Sequence, residues 1–115
     1  MRIAVITLPL LLGAFACGSS FPPPNDEWNA AQADIARADG GGAGGVPEAK
    51  LHLQLAQEDL AKAKQLIDQD NKRAASLIAL AKVEAQLALS LAKQIIAQQA
   101  AQKAQADVVK AKGGS

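Results

Sequence analysis

The chain has 115 residues and half are hydrophobic, yet alanine supplies nearly half of that share, tyrosine is absent and the aromatics are Phe15, Phe21 and Trp28. A conventional core of large side chains is therefore excluded, and a single small domain is the ceiling. The formal net charge is +1, and no basic patch is interleaved with stacking aromatics, which excludes bulk electrostatic binding of nucleic acid.

Residues 3–16 carry no charge and follow Arg2, the form of a secretory signal peptide over residues 1–16. The apolar run is short for a transmembrane helix, which needs about 20 apolar residues. Pro22, Pro23 and Pro24 stop any helical continuation. Ala14-Phe15-Ala16 is an A-x-A pattern for ordinary signal peptidase. The same bond precedes Cys17, the single cysteine, and Gly18-Ser19-Ser20 follows it. That arrangement resembles bacterial lipoprotein precursors, in which the thiol takes a diacylglycerol before cleavage, although Ala14 and Phe15 depart from the usual leucine and small residue. Otherwise Cys17 is an unpaired exported thiol, open to oxidation. The expectation is a lipid anchor, palmitate-bearing, at Cys17, with ordinary cleavage at Ala16 as the alternative. Residues 17–25 are then the lipidated cysteine and a flexible, proline-rich spacer.

The first helix is expected at about residues 26–39, capped by Asn25 or Asp26, with Asp26 and Glu27 suited to its first turn. Trp28, Ala31, Ile35 and Ala38 give it one thin apolar face. The run Gly40-Gly41-Gly42-Ala43-Gly44-Gly45 cannot hold helix, because each glycine costs about 1 kcal/mol relative to alanine. It lacks the preceding strand and the Lys-Ser/Thr pair of a phosphate-binding loop, and it is expected to be a flexible hinge.

Pro47 suits the first turn of a second helix at about residues 47–69. Ala49, Leu53, Ala56, Leu60, Ala63 and Ile67 recur at alternating steps of four and three, a heptad seam of small and large residues. Asp68-Gln69-Asp70-Asn71 offers a turn and a cap. The third helix, about residues 72–112, carries the seam Ala74, Ile78, Ala81, Ala85, Ala88, Ala92 and Ile95, flanked by Leu77, Leu80, Leu87 and Leu91. The expected fold is all-α: a long antiparallel, alanine-rich, coiled-coil-like hairpin preceded by a short helix.

Two consequences follow. The apolar arc of residues 77–96 is wider than the roughly 100° stripe one partner needs, so the third helix should touch something besides the second. The third helix is also much the longer, so everything beyond about Gln94 should overhang, with Ala97, Ala101, Ala104, Val108 and Ala111 keeping a stripe along it. That stripe is either a partner site or a helix sustained by alanine propensity alone. The candidate interaction surface is Leu77, Leu80, Glu84, Leu87, Leu91, Ala97, Ala101, Ala104 and Val108. Lys93, Lys103, Lys110 and Lys112 near the C-terminus complement the helix dipole.

Catalytic and metal residues are not expected. His52, the single histidine, has no acid at ligand spacing but Glu48, whereas a metal site needs three or four ligands. It is expected to be a surface or interface imidazole, without triad chemistry. Glu84 falls inside the apolar arc, where an unpaired carboxylate would be costly. It should emerge at a helix rim or pair with a cation such as Arg37. No cofactor and no small-molecule substrate is indicated.

The CGSS start, the short helix NDEWNAAQADIARAD, the segment PEAKLHLQLAQEDLAKAKQLI and the alanine-rich NKRAASLIALAKVEAQLALSLAK together resemble the alanine-rich bacterial envelope lipoproteins of domain of unknown function 4398. Family members often place glycine between the long helices, where this chain has Asp70-Asn71. The resemblance implies an envelope location and carries over no catalytic residues. Gly18 and Ser19 after the cysteine resemble the outer-membrane sorting signal of enteric lipoproteins. The expectation is a non-enzymatic outer-membrane lipoprotein facing the periplasm, a structural or protein-interaction module whose partner is another envelope protein or itself. The alternative is a soluble periplasmic binding or chaperone-like module.

Overall fold

The computed structural model describes residues 20–114, and the expected signal peptide and lipid-anchor cysteine, Cys17, lie outside them. Three helices follow one another: α1 (Asn25–Gly40), α2 (Pro47–Leu66) and α3 (Asn71–Gly113), with a 3₁₀ turn at Ala43–Gly45. No strand occurs among the described residues.

The prolines set the start of α1. Pro24 is its cap residue and is buried, and its carbonyl accepts the Trp28 N–H at 3.0 Å. Neither Asn25 nor Asp26 caps the helix as expected; Asn25 is already helical and donates its N–H to the Pro23 carbonyl. Asp26 and Glu27 still occupy the first turn, where the helix dipole favours acids.

The glycine run is a seated corner rather than the expected flexible hinge. Gly42 takes the left-handed conformation at φ 91°, which glycine adopts without steric cost. A Cβ on Gly41 would fall 2.3 Å from Leu89 Cδ1, so the absent side chain lets the corner press onto α3. Ala43 is fully buried and Val46 nearly so. The corner has its own apolar contents, which the glycine count obscures.

α2 starts at Pro47, as its fixed φ and missing N–H favour. It ends at Leu66, three residues before the expected boundary, because Asp68 enters the left-handed region at φ 70°. The Asp70 N–H then reaches the Leu66 carbonyl at 2.8 Å. Asp70 caps α3 through its side chain, which accepts the Arg73 N–H at 3.0 Å.

The seams meet as their spacing predicts. Ala49, Leu53, Ala56, Leu60 and Ala63 of α2 are buried, as are Ala74, Ile78, Ala81, Ala85, Ala88 and Ala92 of α3. Ile95 is half-buried. Alanine against alanine lets the helices approach closely, with Ile78 the one large side chain fully enclosed.

The second contact expected of α3 is made by α1, which packs mainly on α3 and far less on α2. Ala31 joins a cluster with Leu60, Ala63, Ile78 and Ala81. Ala38 joins another with Leu53, Ala88 and Ala92. α1 therefore runs alongside α3 in the same direction while α2 runs back, a three-helix bundle. The bundle closes at Ile96, whose Cδ1 lies 3.0 Å from where a Cβ on Gly42 would stand. Residues 97–113 continue as exposed helix, about 25 Å at 1.5 Å per residue.

Candidate functional surface

The two ends of the bundle are built differently. At the turn end, Asn71 accepts the Asp68 N–H through Oδ1 at 2.7 Å and donates from Nδ2 to the Phe21 carbonyl at 2.9 Å. One side chain thus closes the turn and fastens the segment leading out of α1's N-terminus. The expected spacer is shortened accordingly. The Phe21 carbonyl is held at the turn, and in sequence residues 18–20 alone separate Cys17 from Phe21. A fully extended chain over that interval spans about 14 Å. The far end is the overhang, with Ala97, Ala101 and Ala104 exposed and Val108 and Val109 at 52% and 70% exposure.

Between the ends, α2 and α3 are joined by a polar clasp. The imidazole Nδ1–H of His52 donates to Glu84 Oε2 at 2.5 Å, with both side chains about one-quarter exposed or less. Arg37, the cation considered for Glu84, instead binds Asp34 on its own helix at 2.6 Å. Asp34 also accepts from Gln86 Nε2 at 3.3 Å, which links α1 to α3. The sequence places His52 and Glu84 correctly at an interface and at a rim, but their pairing depends on the α2–α3 register. His52 Nδ1 is thereby engaged with a carboxylate. No group of three or more His, Cys, Asp or Glu side chains suited to a metal ion is found among the described residues.

The candidate surface residues separate into two groups. Leu77 and Leu91 are half-buried, packed against the core clusters as lids over the seam. Leu80 and Leu87 are 46% and 40% exposed and point outward. Val83, between them and 60% exposed, is missing from the sequence-derived set. The signal that finds it is an outward-facing period on α3, offset from the buried seam.

A second apolar feature is the groove between α1 and α2, about 460 Å³, lined by Trp28, Ile35, Leu60 and Ala61 with Asp39 and Lys64 among its polar members. Lys64 Nζ stands 5.8 Å from the centre of the Trp28 ring, a cation–π contact. The indole N–H is buried without an acceptor.

α3 is long and apolar enough to cross a bilayer by length and composition, with mean hydropathy 1.4 over an 18-residue stretch. In the bundle it carries the seams for α1 and α2, which equally calls for an apolar helix. That composition is a weak hint of membrane association.

Comparison with curated proteins and with solved structures finds no match. The profile of one family, described as a domain of unknown function, matches residues 26–109, which span α1, the corner, α2 and most of α3. The chain belongs to the DUF4398 family.

Proposed function

We propose that this chain is a non-enzymatic, lipid-anchored helical module of the bacterial outer membrane, held at Cys17 and facing the periplasm. The observation that carries the reading is the hydrogen bond from Asn71 to the Phe21 carbonyl. It fastens the N-terminal segment at the turn end, so a lipid on Cys17 would hold that end within about 14 Å of its attachment point. The overhang then points away from the bilayer, into the space where an envelope partner would meet it.

The non-enzymatic part of the proposal is supported by the use made of the one histidine, which joins α2 to α3 through Glu84 as a contact between helices. The second reading, a soluble periplasmic helical module released after Ala16, is favoured by the Ala14-Phe15-Ala16 pattern.

Metabolic labelling with radioactive palmitate, followed by membrane fractionation, separates the two. The anchored reading expects label in the wild-type protein and in the outer-membrane fraction, and no label in Cys17→Ser. Unlabelled wild-type protein in the soluble periplasm overturns it.

A further inference from the structure

α3 carries a second heptad seam on the side opposite its intramolecular one. Leu80, Val83, Leu87, Ser90, Gln94, Ala97, Ala101, Ala104, Val108 and Ala111 follow one another in strict alternation of three and four residues. Every one of them is exposed, including the large side chains Leu80, Val83, Leu87 and Val108. The stripe runs without a break in register from the bundle onto the overhang, about 47 Å at 1.5 Å per residue. Its core third is built of branched side chains, so it is more than a run of small residues. An unbroken 3.5-residue period matches a helix of the same period and comparable length. Among the described residues α3 itself is the helix that meets both conditions.

We propose that the occupant of this seam is the α3 helix of a second copy, in a parallel, in-register pair. Three observations select it. First, the period places Leu80, Leu87, Gln94, Ala101 and Val108 at one set of core positions (a) and Val83, Ser90, Ala97, Ala104 and Ala111 at the other (d). In parallel register Gln94 faces Gln94 and Ser90 faces Ser90, so each polar side chain meets one able to donate and accept a hydrogen bond. In an antiparallel pair centred on the seam they would face alanines. Second, Asp107 precedes a core position and Lys112 follows the next (g and e). These are the flanking sites that form ion pairs between parallel strands, and in the single chain Asp107 is held by Lys103 at 3.1 Å. Third, the surface is clear of the fold's own helices. α1 and α2 lie on the other sides of α3, where they bury Ala74, Ile78, Ala81, Ala85, Ala88 and Ala92.

This deepens the proposed function by naming the partner, and it rests on that reading only for the common orientation that a shared membrane would impose. The pair is isologous, each residue of the seam meeting its own copy across a two-fold axis along the helices.

The test uses the mature chain from residue 17 with Cys17→Ser, which removes both lipid and native thiol, so its outcome is independent of lipidation. Sedimentation at concentrations up to about 1 mM, which reaches weak association, is expected to show a monomer–dimer equilibrium. Leu87→Glu, at an exposed position, is expected to weaken association more than tenfold with the helical circular dichroism unchanged. In the same Cys17→Ser background Val108→Cys is expected to form a disulfide-linked dimer on mild oxidation, whereas Ala106→Cys, on the outer face of such a pair, is not. A monomer throughout the range overturns the proposal. So does a dimer indifferent to Leu87→Glu, or cross-linking of Val83→Cys chains to Val108→Cys chains in place of the Val108→Cys homodimer, which would mean an antiparallel pair.

Discussion

Gly40 and Gly42 stand two residues apart and make opposite demands. Gly42 holds a left-handed backbone under Ile96, so Gly42→Ala is expected to lower stability by about 1–2 kcal/mol. Gly40 closes α1 in helical conformation, with nothing within 4 Å of an added Cβ. Gly40→Ala should therefore raise stability by about 0.5–1 kcal/mol, since alanine restricts the unfolded chain and favours helix. Thermal melts of the two variants check both signs. The clasp is a further residue-scale feature. Because His52 and Glu84 remain partly exposed, solvent screens their pairing. A double-mutant cycle with His52→Ala and Glu84→Gln is expected to give a coupling of about 1 kcal/mol.

At the scale of elements, what the sequence made legible was whatever repeats. The alternation of Ala49, Leu53, Ala56, Leu60 and Ala63 and its alanine-rich counterpart on α3 locate the α2–α3 interface, short only at Ile67 and Ile95, which are half-buried, because small residues at heptad spacing mark the faces that can approach closely. Single-residue events were less legible. The end of α2 turns on the backbone angle of Asp68, and the cap of α1 passed to Pro24 in place of Asn25 or Asp26. The corner at Gly41 and Gly42 is set by close approach to Leu89 and Ile96 from α3, a contact distant in sequence. Seam tightness has a direct consequence. Ala85 is fully buried between helices, so Ala85→Leu is expected to destabilise by about 1–3 kcal/mol through overpacking. Residues 97–113 make no core, so ending the chain at residue 96 should leave the cooperative melt of the bundle within a few degrees of the full chain, as followed by circular dichroism.

For the whole molecule, the residues named from the sequence as a surface divide between the outside and the interior. Leu80, Leu87 and the overhang alanines face outward, while Leu77 and Leu91 serve the interior and Val83 joins the outer set. The wide apolar arc had announced a second neighbour for α3, and that neighbour is α1. What periodicity alone could not supply is polarity along the long axis. That comes from Asn71 reaching back across the chain to Phe21, a bond between residues far apart in sequence. It sets Phe21 and the segment entering α1 at the turn and the overhang at the other end. α3 spans about 65 Å from one to the other.

The most direct test of the account is where these two ends stand relative to a bilayer. The lipidated protein, carrying a fluorophore at position 69 in the turn or at position 109 in the overhang, is reconstituted into vesicles containing a headgroup quencher. The account predicts that the protein floats with the vesicles and that quenching at position 69 exceeds quenching at position 109 several-fold. Equal or stronger quenching at position 109, or protein that remains in solution, would contradict it.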